Sequence, residues 1–338
     1  MKDSKNNNIY DIAKMAGVSI TTISRAINRP NMVKPDTLDK IHSIMREMEY
    51  TPNALAQGLV LKSTKTIGVI IANINNPFYG EMVKAIEDTA SKSGYTIILG
   101  NTDNDIQQEE KYIGIFLKKQ VDAIIFAGGR KMDEKNNEHI IRTSRYVPVV
   151  LTNHYMQREN VYCVLTDEAK GASMAVEYLI SKGRVRIAYI NGYINSYPSV
   201  VKRDNMIATL TRSGLEFYEE LEVSALTDDV KGGYDACRIL LDRKIEFDAL
   251  FAANDLMAIG AMKALQKKGL KVPEDVSVMG YDNIYLCNYI TPELSSMTQN
   301  ISQLGIDAVN FIVRHFERKK IANNIKFLKP RLIVRKSC

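Results

Sequence analysis

The stretch IYDIAKMAGVSITTISRAIN, residues 9–28, decides how the rest of the chain is read. Ile12, Met15 and Ala16 share one helical face over Asp11–Ala16, Gly17-Val18-Ser19 breaks the pattern, and Ser19 is a good N-cap. Ile23, Ala26 and Ile27 then recur at helical spacing between Ile20 and Asn28, which leaves Thr21, Thr22, Arg25 and Asn28 on the other face. A helix, a tight turn and a second helix with a polar outer face form a helix-turn-helix, and such a second helix can enter a DNA major groove. In that setting Thr21 and Arg25 reach base edges, while Ser19 and Thr22 contact phosphates. An ordinary helical hairpin with solvated Thr and Arg has the same pattern, so these residues alone leave both readings open.

Working outward, Pro35 suits a first helical turn, and Leu38, Ile41, Met45 and Met48 form the inner stripe of a third helix. Residues 53–59 make a short helix before the polar linker Lys62–Thr66, and with Gly58 inside it that helix is marginal unless something packs on it. From residue 66 the pattern alternates. Apolar runs at Ile67–Ala72, Thr96–Leu99, Ala123–Phe126 and Val147–Leu151 are interleaved with helical segments at Phe78–Ser93, Gln107–Lys119 and Glu134–Ser144. A second series has strands at Ile187–Asn191, Leu221–Ser224, Ala249–Ala252 and Ser277–Tyr281, with helices at Glu168–Lys182, Ser199–Ser213, Gly232–Arg243 and Asp255–Lys268. This is α/β architecture: two parallel sheets with crossover helices. Asn and Asp cluster just after the strands, at Asn73–Pro77, Asn101–Asp105, Asn254-Asp255 and Asp282-Asn283, where open parallel sheets bind ligands.

Composition narrows the classes. The 338 residues carry 45 Lys+Arg against 39 Asp+Glu, and residues 1–65 hold ten basic and six acidic side chains, a net +4 against +2 for the rest. A basic module on a nearly neutral body fits a nucleic-acid footprint, as would a basic solvated tail. No apolar run is long enough to span a bilayer and the polar start has no signal-peptide core, so a cytoplasmic protein without membrane contact is expected. Cys163, Cys237, Cys287 and Cys338 lack paired spacing, and His42, His139, His154 and His315 fit no ligand pattern, so no metal is expected. Neither a GxGxxG fingerprint nor a phosphate-loop motif is present, Gly128-Gly129 included, so no cofactor is expected, and an enzyme ranks last among the classes considered. The charge run Lys131–Lys135 reads as an exposed loop.

Residues 9–28 closely resemble the headpiece of the lactose/galactose repressor family, with its AGVS turn followed by a TVSRVLN-like helix. Lys34-Pro35 resembles the start of that family's third helix, and Tyr50, Pro52, Asn53, Ala54, Ala56 and Leu59 resemble its hinge. In the body, Gly68-Val69-Ile70, Asn76-Pro77-Phe78, Gln120-Val121-Asp122-Ala123, Asn254-Asp255-Leu256-Met257-Ala258 and Gly280-Tyr281-Asp282-Asn283 echo family positions. The resemblance implies a helix-turn-helix headpiece (1–52), a hinge (53–65) and a periplasmic-binding-protein-like body of two doubly wound parallel-sheet subdomains. Three chain crossings then give subdomains of 66–161 with 292–321 and 162–291 with 322–338, the helix Ser302–Glu317 returning to the first. The implied function is sequence-specific transcriptional regulation, by a repressor acting as a homodimer on a pseudo-palindromic operator. Tyr10, Ser19, Ile20, Thr21, Thr22, Ser24, Arg25, Asn28, Arg29, Lys34, Asn53, Ala56, Gln57 and Leu59 are the implied DNA contacts, Leu59 wedging between base steps in the minor groove.

The implied effector site is a cleft between the subdomains, holding a sugar or sugar derivative against Asn76, Phe78, Tyr79, Asn153, Lys202, Asp228, Asn254, Asp282 and Gln299. Three of these depart from the family's sugar-binding pattern. Lys202 stands where arginine is usual, Asn153 where aspartate is usual, and Asp228 where a stacking aromatic is usual; lysine lacks the guanidinium fork that grips two oxygens. Arg203 could stand in for the arginine only if the backbone shifts. Lysine also occupies that position in the catabolite control proteins, so a phosphoprotein corepressor is the alternative to a small effector. A stand-alone sugar-binding module is the less favoured alternative, since residues 9–59 and the absence of a signal peptide argue strongly against it, and the chain end lacks leucine heptads, so a dimer is expected rather than a tetramer.

Overall fold

The computed structural model describes residues 8–28, 30–50, 63–133, 135–192, 196–319 and 321–338, and the chain divides into two units at Lys65. Arg29 and the hinge residues Asn53, Ala56, Gln57 and Leu59 therefore lie outside the described residues, as does the side chain of Asn28.

The first unit contains α1 (Ile9–Ala16), α2 (Ile20–Asn28) and α3 (Pro35–Glu47). Its boundaries follow from local chemistry. The Asn8 side chain accepts the N–H groups of Tyr10 and Asp11, and Asp11 accepts the N–H of Asn8, forming a capping box that starts α1. Gly17 ends it at φ +69°, a left-handed conformation that costs glycine nothing. Ser19 then accepts the Thr22 N–H at 3.1 Å and starts α2. Ile12, Ala13, Ala16, Ile23, Ala26, Ile41, Ile44 and Met45 make the core. Met15, expected on the inner face, is 50% exposed, because Ala13 occupies that side of α1; Ile44 joins the α3 stripe.

The second unit has two six-stranded sheets. The first is built from β1 (Thr66–Ile71), β2 (Thr96–Asn101), β3 (Ala123–Ala127), β4 (Val149–Thr152), β5 (Val161–Thr166) and β11 (Ile325–Leu328), in the order β11-β5-β4-β3-β1-β2 and parallel throughout. The second holds β6 (Ile187–Asn191), β7 (Glu222–Ser224), β8 (Ala249–Ala252), β9 (Ser277–Asp282), β10 (Ser295–Thr298) and β12 (Arg331–Ile333), in the order β12-β10-β9-β8-β6-β7. Only β12 runs antiparallel to its neighbour there. The covering helices are α4 (Pro77–Lys92), α5 (Ile106–Lys118), α6 (Glu138–Thr143), α7 (Glu168–Ser181), α8 (Tyr197–Arg212), α9 (Val230–Asp242), α10 (Asp255–Lys267) and α11 (Ile301–Phe316). The expected helix Glu134–Ser144 shrinks to the six residues of α6 behind a single turn at Lys135–Asn137.

The chain does cross between the sheets three times, but not at 161/162, 291/292 and 321/322. β5 completes the first sheet before the chain leaves it, β10 belongs to the second, and β11 returns to the first, so the crossings follow Thr166, Thr298 and Leu328. Of the strands that periodicity missed, β10 is Ser-Ser-Met-Thr, polar yet wholly buried, and β12 has only three residues. The crossing segments lie side by side: the Asp167 N–H bonds Leu328 O at 3.0 Å, the Asn300 side chain bonds Lys329 O at 2.8 Å, and Thr166 Oγ1 bonds Gln299 O at 3.1 Å.

Helices α9 and α10 approach so closely that glycine is required at their contact. A Cβ on Gly260 would collide with the Val230 carbonyl, and one on Gly233 with Met257 backbone. Gly260→Ala is expected to lower stability by about 1–3 kcal/mol through overpacking, measured as a fall in the urea midpoint with an unchanged slope.

Candidate functional site

Between the carboxyl ends of the two sheets lies a cavity of about 680 Å³. All nine residues expected at an effector site line it. Asn76, Phe78 and Tyr79 come from the turn into α4, and Asn153 from the end of β4. Lys202 comes from α8, Asp228 and Asn254 from the turns after β7 and β8, Asp282 from the end of β9, and Gln299 from the second crossing.

The floor is a hydrogen-bonded row. The Thr166 N–H donates to Asn153 Oδ1 at 3.3 Å, Asn153 Nδ2 donates to Gln299 Oε1 at 2.6 Å, and Gln299 Nε2 donates to Asp282 Oδ1. Asp282 is buried, and desolvation together with the neighbouring Asp255 carboxyl pushes its own carboxyl well above the usual range, with Lys202 opposing. Burial likewise raises Asp255 to about 6, despite its bonds from Ser296 Oγ at 2.6 Å and the Ile284 N–H at 2.8 Å. Tyr79 is driven well above its ordinary value by burial and by Asp228 and Asp282, so its hydroxyl stays a neutral donor.

Lys202 is only 5% exposed and its charge is already engaged. Its Nζ donates to Ala253 O at 2.8 Å, sits 4.2 Å from the centre of the Tyr281 ring, and lies 3.8 Å from a Glu168 oxygen. Arg203 does not take its place: it turns away to Glu222, Nε to Oε2 at 2.7 Å.

Four helices begin at the cavity, and each is capped by its own chain. Asn76 accepts the Phe78 N–H, Ser196 that of Ser199, Asp229 that of Gly232, and Asn254 that of Met257. Asn254 also donates to Asp228 O at 3.3 Å, so both ends of its amide shape the rim. Ser196, Ser199, Asp229 and the Gly128-Gly129 pair are lining residues that sequence reasoning missed. The signal for the glycines was their place directly after β3. The Tyr79 hydroxyl fills the space a Gly128 Cβ would need, and Pro198 packs on Gly129. The neighbouring charge run is exposed at Met132, Asp133 and Lys135, while Lys131 pairs with Ser196 in an isolated bridge and, just before the run, the Tyr197 N–H donates to Arg130 O at 2.8 Å, which joins the two lobes there. His154 packs edge-on against Tyr197, and burial with the nearby Arg130 charge lowers it to about 4, so it is neutral.

Behind that loop, Arg130 grips buried Glu109 through two bonds of 2.6 and 2.5 Å, and His139 Nε2 adds a third at 2.7 Å. Burial alone would raise the Glu109 carboxyl; the His139 bond and the Arg130 charge outweigh it and bring it to about 2.

In the headpiece, Tyr10 (67% exposed), Ile20, Thr21, Arg25 and Lys34 stand open to solvent, and Thr22 and Ser24 are half-buried. The Ser19 and Thr22 hydroxyls bond each other at 2.9 Å. Among the described residues no helix is long and apolar enough to cross a membrane.

A helix-turn-helix unit carried on the same chain as a two-lobed, cleft-bearing α/β unit defines a ligand-controlled, DNA-binding transcriptional regulator. Two family profiles agree: one described as bacterial regulatory proteins, lacI family, matches residues 8–53, and one described as periplasmic binding proteins and sugar binding domain of LacI family matches residues 64–329. The chain belongs to the LacI family. It is 32% identical to the ribose operon repressor of Escherichia coli strain K12 over 327 residues, 97% of this chain and 98% of that protein. A crystal structure of the Lac repressor dimer bound to operator and an anti-inducer matches at a TM-score of 0.86 and 25% identity, covering 98% of this chain and 99% of that one. The regulator CcpA of Lactococcus lactis matches at a TM-score of 0.73 and 28% identity, covering 80% of this chain and 98% of that one.

Glu109→Gln is expected to cost about 3–5 kcal/mol at neutral pH by stranding Arg130. Because the folded carboxyl lies below its ordinary 4.5, the stability it supplies is complete above that pH and is lost as pH falls toward 2. Urea unfolding at pH 7 and pH 3 should therefore show a shallower acid loss in the variant.

Proposed function

We propose that this regulator is a cytoplasmic repressor without enzymatic activity, which binds a pseudo-palindromic operator as a homodimer and releases or engages it in response to an uncharged sugar or sugar derivative in the cleft. The convergence of nine expected side chains on one polar cavity supports this reading most strongly. The class of ligand follows from what the cavity lacks among the described residues. Phosphates seek open helix N-termini or unengaged cations. Here the four N-termini carry their own caps, and the single lining lysine is held by a carbonyl, a ring and a carboxylate. Hydroxyl groups suit the carboxamides and carboxylates that remain.

In the headpiece, Arg25 and Thr21 read bases, while Tyr10, Ser19, Ile20, Thr22, Ser24, Asn28, Arg29 and Lys34 position the helix on the duplex. Asn53, Ala56, Gln57 and Leu59 complete the contact at the minor groove. Effector binding acts by preferring one arrangement of the lobes, and thereby one state of the hinge. The likeness to CcpA keeps a phosphoprotein corepressor as the second reading. The lysine that suggested it is buried in the cleft, however, so it does not mark a docking surface.

A thermal-shift screen against neutral sugars and their phosphates tests the cleft: neutral sugars should raise the unfolding temperature, and stabilisation by phosphates alone would overturn the assignment. Asp282→Ala should abolish the response to the sugar while the protein stays folded by circular dichroism. Arg25→Ala should weaken operator binding by about 1–3 kcal/mol and relax base preference in a gel-shift titration.

A further inference from the structure

The lobes touch at a second place, away from the crossing segments. β3 lies two strands from β5 in the first sheet, and β6 lies three strands from β10 in the second. The segment that leaves β3 nevertheless meets the one that enters α8. The Tyr197 N–H donates to Arg130 O at 2.8 Å, Lys131 pairs with Ser196 in an antiparallel bridge, and Pro198 packs against Gly129. His154, from the turn after β4, sets its ring edge-on to that of Tyr197 with 6.2 Å between centroids. Gly128, Gly129, Ser196 and Pro198 also line the cavity, so this contact forms part of the cleft wall.

We propose that residues 128–131 are a strap that fastens the two lobes across the cleft, and that Glu109 is the positioning residue that holds the strap within reach of α8. The strap is fixed firmly on its own side. Glu109, a buried carboxylate on α5, takes two bonds from the Arg130 guanidinium and shares a third with His139 Nε2. The guanidinium also lies 4.9 Å from the centre of the Phe126 ring. Buried Asn137 donates to Lys131 O at 2.7 Å and to Asp133 O at 2.9 Å, which anchors the far end. The Arg130 side chain thus serves its own lobe, while its carbonyl oxygen serves the other. Across the cleft, Ser196 starts α8 by accepting the Ser199 N–H, so the strap meets a capped helix end.

Two bodies joined along a single seam can rock about it. The strap lies off that line, so rocking the lobes apart has to break the Tyr197 bond and draw Pro198 away from Gly129. What breaks is small, a main-chain contact and the packing of two rings, and no core is opened. The strap therefore sets how far the ligand-free balance leans toward closed lobes, and an effector acts on that balance. This goes beyond the functional reading above and concerns the body alone, so it needs neither the class of ligand nor the operator.

The test is amide hydrogen exchange on the full, ligand-free chain, read by mass spectrometry in the peptide that holds Tyr197. The peptide that holds Asp167, whose N–H bonds Leu328 O in the seam, is the control. Gly129→Ala probes the strap without touching the ion pair. Its Cβ would lie 2.6 Å from the Pro198 ring, an overlap relieved by parting the lobes. Exchange at Tyr197 should rise by roughly three- to tenfold, about the release of one hydrogen bond, while Asp167 stays unchanged. Glu109→Gln, which loosens the hold on Arg130, should produce the same rise in the opposite lobe. Arg130→Lys, which keeps the charge and loses the fork, takes its place if that variant does not fold. A purely structural role for Glu109 would quicken exchange in β3 and its neighbours without reaching α8. No rise at Tyr197 with Gly129→Ala would overturn the strap. A rise there but none in the ion-pair variants would overturn the positioning role of Glu109, and a rise shared equally by Asp167 would overturn both.

Discussion

Everything in the body of this protein depends on three strands of chain lying side by side where they pass between the sheets. The segments after Thr166, Thr298 and Leu328 are tied by backbone and side-chain hydrogen bonds. The two lobes are therefore joined along a shared seam. Because the strands in each sheet run parallel, apart from β12, their carboxyl ends all open toward this seam, and the polar turns that follow them are gathered into one cavity. The ligand cleft and the hinge of the lobes are thus one construction. Gln299 belongs to both, since it sits in a crossing segment and lines the cavity.

How much of this could be read in advance varied with the range of the interactions. The headpiece was legible because its signals are local: a Gly turn, a Ser cap and apolar residues at three- and four-residue spacing all lie within twenty positions of one another. The βα alternation was legible for the same reason. β10 was not, because it buries serines whose hydroxyls are satisfied only by distant partners, Ser295 Oγ accepting the Arg335 N–H and Ser296 Oγ donating to Asp255. The crossing points moved by several residues as a result. At the site, the resemblance to the family led to the nine positions, but not to what they do for one another. Lys202 has its charge spent on Ala253, Tyr281 and Glu168, and Arg203, its candidate substitute, turns to Glu222. Neither outcome is visible in the order of residues.

The departures from the sugar-binding pattern look different once the contacts are known. Taken singly, lysine for arginine, asparagine for aspartate and aspartate for an aromatic each appear to weaken recognition of a sugar. Two of the three are tied into the protein's own contacts. Lys202 lies against Ala253 O, the Tyr281 ring and a Glu168 oxygen, and Asn153 joins the row to Gln299.

The size of the cleft adds a last consequence. At about 680 Å³ it has room for on the order of 20 water molecules at liquid density, more volume than a single monosaccharide fills. A ring that docks against Asp282 would therefore keep company with bridging waters along the Asp228 and Asn254 rim. Its binding would be an exchange of one hydrogen-bonded partner for another rather than the burial of oil. Selectivity in such a site comes from the order in which hydroxyls replace solvent, and a larger glycoside would gain by displacing the waters a simple sugar leaves behind.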